Sequence, residues 1–137
     1  VARGEHFRRF APPGPRVALS PIGAFGQRSR LPIVDLLGLT HTRLLGVSPD
    51  LEGVRMKGHH RHDAEWVLAD PPEFIVLGNG VVQPDTGRLA VNPWERDIAT
   101  DPRFAALYVK VRAELDGAPL EWFRRRDVAP LAGETPR

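Results

Sequence analysis

Two short apolar runs, residues 32–37 (PIVDLL) and 74–77 (FIVL), constrain the fold of this chain more than any other feature. Neither alternates apolar with polar, so a strand built from either must be covered on both faces, as in the parallel sheets of α/β proteins. Between them, residues 62–69 predict a helix, with Asp63 as its cap or first-turn acid and Trp66, Val67 and Leu68 as apolar surface. Pro71-Pro72 stops that helix, because proline lacks the amide donor and holds the preceding residue extended. A β–loop–α–β order across 32–77 predicts parallel pairing of the two strands.

The flanking segments extend this pattern. Residues 16–22 (RVALSPI) predict a first strand, and Gly23-Ala24-Phe25-Gly26 then begins a turn or short helix. Residues 40–45 predict a short helical turn with Thr40 as N-cap, and 48–58 a surface loop. Gly78-Asn79-Gly80 closes the strand at 74–77, and 86–97 is a loop for which Trp94 is the expected anchor. Asp101 caps a short helix over 101–106, with Pro102 in its first turn. Tyr108–Leu115 (YVKVRAEL) alternates and predicts a strand with one wet face. Asp116-Gly117 signals a hairpin, and 120–126 supplies the partner strand. The expected fold class is α/β, a small two- or three-layer sandwich with a mixed, partly parallel sheet and a C-terminal β-hairpin. Residues 1–15, charged and proline-rich, are expected to be a linker or extended arm. One domain spans 16–128, and 129–137 form a disordered tail.

Composition narrows the function classes. With 137 residues, 42% of them hydrophobic, the chain suits one domain with a real core. There is no cysteine, which excludes disulfides, thiol catalysis and Cys-based zinc sites. All but Lys57 and Lys110 of the 19 cationic side chains are Arg, which lifts the pI to about 9.7 although the net charge is only +2. Apart from Arg8-Arg9 and Arg124-Arg125-Arg126 the arginines are scattered, whereas nucleic-acid binders gather them on one face, so no nucleic-acid partner is expected. No stretch approaches the ~20 apolar residues of a membrane helix. The chain starts on Val1 without a signal peptide's apolar core, and it is expected to be a piece or processed form of a longer protein.

Chemistry-bearing residues gather between 31 and 80. His59, His60, His62 and Asp63 are imidazole and carboxylate ligands suited to zinc or another transition ion. Neither HExxH nor CxxC spacing is present, and a hydrogen-bonded or solvated loop is the commoner fate of such a run. Asp35, at the end of an apolar strand, either caps a nearby turn or faces a ligand crevice. Arg43, His41 or a histidine of 59–62 could partner it. Gly23–Gly26 lacks GxGxxG spacing, Ser20 lacks a GxSxG frame, and no cofactor is expected. Trp66, Trp94 and Trp122 could stack on sugars, although core packing is the usual role of tryptophan in a small domain.

The order of these motifs resembles a known family. An ALSPIGAF strand-turn precedes Pro32-Ile33-Val34-Asp35-Leu36-Leu37-Gly38-Leu39-Thr40. Gly58-His59, an alanine-aromatic-valine-leucine helix and Pro72-Glu73-Phe74-Ile75-Val76 follow, and a hairpin runs from Tyr108 to Arg126. Over residues 16–126 this is similar to the soluble extracytoplasmic domain after the membrane helices of bacterial polytopic GT-C-type glycosyltransferases. That group includes relatives of arabinofuranosyl- and mannosyltransferases. His41 stands where that group commonly has an acid, and His60 where it often has Glu.

The resemblance implies that the transferase chemistry sits in membrane-proximal loops of the parent protein and that this domain is not catalytic alone. Its expected partners are the membrane-embedded part of the same parent chain and a glycan or polyprenyl-linked sugar. Its expected location is extracytoplasmic, on the periplasmic face, attached to the inner or plasma membrane through that parent. Asp35, Gly38, Thr40, His41, Gly58, His59, His60 and Trp66 are then candidates for a ligand crevice or for locking its loops. The rival expectations are a small metal-dependent enzyme using 59–63 and a degenerate nucleotide- or protein-binding module built on Gly23–Gly26.

Overall fold

The computed structural model describes residues 2–20, 22–38, 40 and 63–137. Along the chain come α1 (Ala2–Phe10), β1 (Val17–Leu19), α2 (Ile22–Ser29), β2 (Ile33–Asp35), α3 (Ala64–Ala69) and β3 (Phe74–Val76). After these come α4 (Arg96–Thr100), α5 (Pro102–Leu107), β4 (Tyr108–Leu115), β5 (Ala118–Arg125) and β6 (Thr135–Pro136). The strands form one mixed sheet in the order β2-β1-β3-β5-β4-β6. β1 is parallel to both neighbours, with Val17 opposite Ile33 on one side and Phe74 on the other. The remaining pairings are antiparallel. This is the mixed, partly parallel α/β sheet expected from the sequence. The β4–β5 hairpin turns on Asp116 (φ 52°) and Gly117 (φ 76°), the positive dihedrals that a tight two-residue hairpin loop needs.

One pairing differs from expectation. The strands within 32–37 and 74–77 run parallel but do not touch, because β1 lies between them. Burial explains the order: Val17, Ala18 and Leu19 are at most 2% exposed, so β1 needs cover on both faces and takes the inner place. Ile33 and Val34 are only half-buried, which suits an edge strand.

Strand alternation divides the core into two layers. Val17, Leu19, Phe74, Val76, Val111 and Trp122 pack on one face with Phe7 of α1 and Phe25 of α2. Ala18, Ile75, Leu77 and Tyr108 pack on the other with Val67 and Leu68 of α3, Ile98 of α4 and Phe104 of α5. Helices on both faces make a three-layer sandwich.

The two ends of the chain correct the expected boundaries. The segment expected to be an extended arm holds α1, and Phe7 sits at the centre of an aromatic cluster. Its ring lies 5.4 Å from Phe25, 5.5 Å from Phe74 and 5.4 Å from Trp122, all edge-to-face. Glu5 in its first turn and Arg8 and Arg9 in its last complement the helix dipole. At Gly4 a Cβ would stand 2.8 Å from both Arg28 Cβ and the Phe25 carbonyl oxygen, so the glycine permits the close α1–α2 crossing. Only the proline-rich stretch after Phe10 remains irregular. At the other end, the expected disordered tail is tied down. Leu131 is buried, β6 pairs with β4, and Glu134 accepts from Arg124 Nε (2.8 Å) and Trp122 Nε1 (3.2 Å). A buried cation and indole on β5 need an acceptor, and the tail provides it.

Candidate functional site

The parallel strands end on Leu19, Asp35 and Val76, so Ser20, Asp35 and the turn Leu77–Gly80 share one edge of the sheet. From β1 the chain moves outward to β2 and then returns past β1 to β3. Ligands of open α/β sheets bind outside the carboxyl ends of the strands at such a reversal.

Asp35 anchors the β2 end of this edge. It is 2% exposed; its Oδ1 accepts from the Leu37 amide (3.0 Å), and its Oδ2 from the Thr40 amide (2.9 Å) and hydroxyl (3.0 Å). The chain closes on itself through the Gly38 amide, which donates to the Asp35 carbonyl at 3.0 Å, with Gly38 at φ 65°. A β-carbon is disfavoured at that dihedral, so glycine fits the turn. Of the two roles expected for Asp35, its described bonds are those of a turn cap.

Glu95 anchors the β1 and β3 ends, and sequence reasoning missed it. It is fully buried and gathers three donors: the Ser20 hydroxyl on Oε1 (2.6 Å), and the Gly78 (2.7 Å) and Asn92 (2.9 Å) amides on Oε2. Trp94 Nε1 donates to Ser20 Oγ at 3.0 Å, so the expected anchor of 86–97 holds the same serine. The usable signal was Asn92 followed three residues later by Glu95, the spacing of a capping box that opens the 3₁₀ turn Pro93–Glu95. What that spacing cannot show is that the carboxylate would also reach two strand ends.

Gly78, Asn79 and Gly80 all have positive φ, 54°, 59° and 70°. A Cβ at Gly78 would lie 1.8 Å from the Ala90 carbonyl oxygen, and one at Gly80 2.4 Å from Leu120 Cδ1. The backbone thus passes against its neighbours where no side chain fits. Asn79 tolerates the left-handed region because its short polar side chain costs least there after glycine.

The other expected site residues fall elsewhere. Trp66, half-buried on α3, lines a cavity of about 470 Å³ with Arg16, Val34, Asp63 and Asp70, and Asp35 is not among its described lining residues. Arg16 donates to both oxygens of Asp70 (2.6 and 3.1 Å), and this pairing holds the Asp70 carboxyl below its usual range. Asp63 caps α3, its Oδ1 accepting from the Glu65 (2.9 Å) and Trp66 (3.4 Å) amides. His41, Gly58, His59, His60 and His62 lie outside the described residues, as do Arg43 and all of the helical turn expected over 40–45 except Thr40. Gly23 and Gly26 lie within α2.

Chemically, this edge is a set of loops fastened by two buried carboxylates. Every oxygen of Asp35 and Glu95 accepts at least one hydrogen bond from the loops it joins. No curated protein and no solved structure matches the chain. A family model described as "Domain of unknown function (DUF8728)" matches residues 2–129, a span that takes in α1 and both anchoring carboxylates. The chain belongs to that family.

Proposed function

We propose that this chain is a non-catalytic extracytoplasmic domain of a membrane glycosyltransferase-like protein, and that it helps position a glycan or lipid-linked acceptor. One observation carries the reading: the buried carboxylates of the sheet edge are spent on loop amides and hydroxyls. Glycosyl-transfer and hydrolysis centres need a carboxylate that reaches the substrate as acid, base or nucleophile. Asp35 and Glu95 instead shape the edge. The resemblance supplies the rest of the reading, since the Asp35–Thr40 motif on which it leans is the turn that Asp35 closes. The parent chain's membrane-embedded part would contribute the chemistry, and this domain would sit over it.

Neither rival gains a specific observation. For the metal-enzyme reading, the one described ligand is Asp63, which already serves as a helix cap. For the nucleotide-binding reading, the two glycines belong to a regular helix rather than to a loop before it.

The test is a titration of the isotope-labelled chain with arabinan and mannan oligosaccharides. In parallel, the same protein is incubated with a polyprenyl-phosphate sugar. The expected result is amide shift changes confined to residues 35–40 and 77–80, with no sugar released or transferred. Transfer or hydrolysis by this chain alone, or no shift with any glycan, would contradict the proposal.

A further inference from the structure

Arginines that are scattered along the sequence gather on one outer layer of the fold. α1, α2 and the residue that follows α2 carry Arg3, Arg8, Arg9, Arg28 and Arg30 against a single carboxylate, Glu5. Both helices cover the same face of the sheet, through Phe7 and Phe25. The layer on the other face reverses the sign. There α3, α4, α5 and their caps carry Asp63, Glu65, Asp70, Asp97 and Asp101 besides the buried Glu95, against Arg96 and Arg103. The sheet thus separates a cationic layer from an anionic one, in a chain whose net charge is only +2. The carbonyl ends of α1 and α2 offset about half a charge each, too little to neutralise their layer.

Ion pairing sharpens the contrast. Outside α1 and α2, Arg16, Arg103, Arg112, Arg124 and Arg125 each meet a carboxylate at 2.8 Å or closer. On the cationic layer the described ion pair is Arg28 with Glu5, exposed and 3.4 Å long, and Arg8 and Arg30 make none among the described residues. Arg8, Arg28 and Arg30, all exposed, line one depression of about 310 Å³ with Gln27 and Glu5. Gly4 permits this: the Cβ that it lacks would stand 2.8 Å from Arg28 Cβ, so α1 and α2 cross closely enough to share the depression. Guanidinium groups gathered in this way fit phosphate oxygens, which each can bind as a two-pronged fork.

The rest of the layer narrows the partner. Its aromatic rings are turned inward, with Phe7 and Phe25 buried and Phe10 half-buried under Arg9 (5.2 Å), so it offers no ring on which a base could stack. Reading a duplex takes a helix or ribbon set into a groove, whereas α1 and α2 both lie packed on the sheet. We propose that the α1–α2 layer docks on the surface of an anionic phospholipid bilayer. Lipid phosphates seat on Arg8, Arg28 and Arg30, and the acidic α3–α5 layer turns to the water. The choice of a bilayer among polyanions rests on the reading of this domain as one that sits over a membrane-embedded parent. Attraction of this kind is reversible, so it orients the domain and does not anchor it.

The test sediments the full chain with phosphatidylcholine vesicles holding about 30% phosphatidylglycerol, and with phosphatidylcholine alone. At about 0.1 M salt, where charges act over about 10 Å, the anionic vesicles are expected to bind at least about tenfold more tightly; at about 1 M the difference should vanish. Each arginine at such a surface is worth about fivefold, so Arg8→Gln with Arg28→Gln and Arg30→Gln should weaken binding about a hundredfold. Arg88→Gln with Arg96→Gln and Arg137→Gln removes the same charge elsewhere and should cost no more than about threefold. Melting curves check that both variants fold. The orientation is read on wild type: spin-labelled headgroups should broaden amides of α1 and α2 and spare those of α3–α5. Equal binding to both vesicles, an equal loss in the two variants, or broadening centred on α3–α5 would overturn the proposal. So would tighter binding to a short DNA duplex than to anionic vesicles, or vesicle binding abolished by about 10 mM inorganic phosphate. None of these outcomes touches the glycan titration, so the two readings fail separately.

Discussion

At the scale of single residues, Glu95 is the most consequential side chain in this fold. A fully buried carboxylate is costly unless its lone pairs are filled, and here Ser20, Gly78 and Asn92 fill them. Glu95→Ala would leave the buried Gly78 amide, the half-buried Asn92 amide and the Ser20 hydroxyl without this acceptor. We expect it to cost about 3–5 kcal/mol, since each orphaned group costs about 1–3 kcal/mol before relaxation. Glu95→Gln keeps the size and the two amide bonds but turns a donor toward Ser20, and its expected cost is about 1–2 kcal/mol. Urea unfolding of the three proteins checks the order wild type, Gln, Ala; an Ala variant as stable as wild type would remove Glu95 from its central place. Asp35 was legible in the sequence, as a lone acid within an apolar run, three residues before a glycine. Glu95 was not legible as a hub, because its partners lie 75 and 17 residues away and only the local capping spacing showed.

At the scale of elements, α1 decides whether the β1–β3–β5 face has a core. Phe7 is fully buried and meets Phe25, Phe74 and Trp122 edge-to-face. Phe7→Ala should therefore destabilise the protein by about 3–5 kcal/mol, read as a lower denaturation midpoint with an unchanged slope. The same helix carries a pH dependence. Burial lowers the pKa of His6 from its ordinary 6.5, and Nε2 has no hydrogen-bond partner among the described residues. The unfolded chain takes up a proton near pH 6.5, whereas the folded chain does so only at lower pH. The stability contribution of neutral His6 is thus complete above about pH 6.5 and is lost as pH falls toward the folded-state pKa. Between pH 7.5 and 5.5 the wild type should lose more melting temperature than His6→Leu does; equal losses would contradict this. Elements set by local pattern were legible: the β4–β5 hairpin, the Asp63- and Asp101-capped helices, and the doubly apolar strands. α1 and β6 were not, because charge and proline content mark the segments while a few long-range apolar and ionic contacts order them.

At the scale of the whole molecule, a three-stranded parallel unit joins an antiparallel hairpin through the β3–β5 pairing. Phe74 and Ile75 of β3 are fully buried, and its outgoing turn is fastened to Glu95, so β3 connects the hairpin to the sheet edge where the candidate site lies. The fold class was readable because doubly apolar strands and an alternating hairpin dictate different sheet environments. Strand order was not, since it depends on the relative burial of three similar triplets.

Asp35 and Glu95 work as two independent fasteners of the strand-end loops. Hydrogen exchange of the Leu37, Thr40, Gly78 and Asn92 amides in wild type and Glu95→Ala, under conditions where both remain folded, tests it most directly. All four amides are expected to be protected in wild type. In the variant, Gly78 and Asn92 lose at least about tenfold of their protection while Leu37 and Thr40 keep theirs. Unprotected amides in wild type, or protection at Gly78 and Asn92 that survives the loss of the carboxylate, would contradict it.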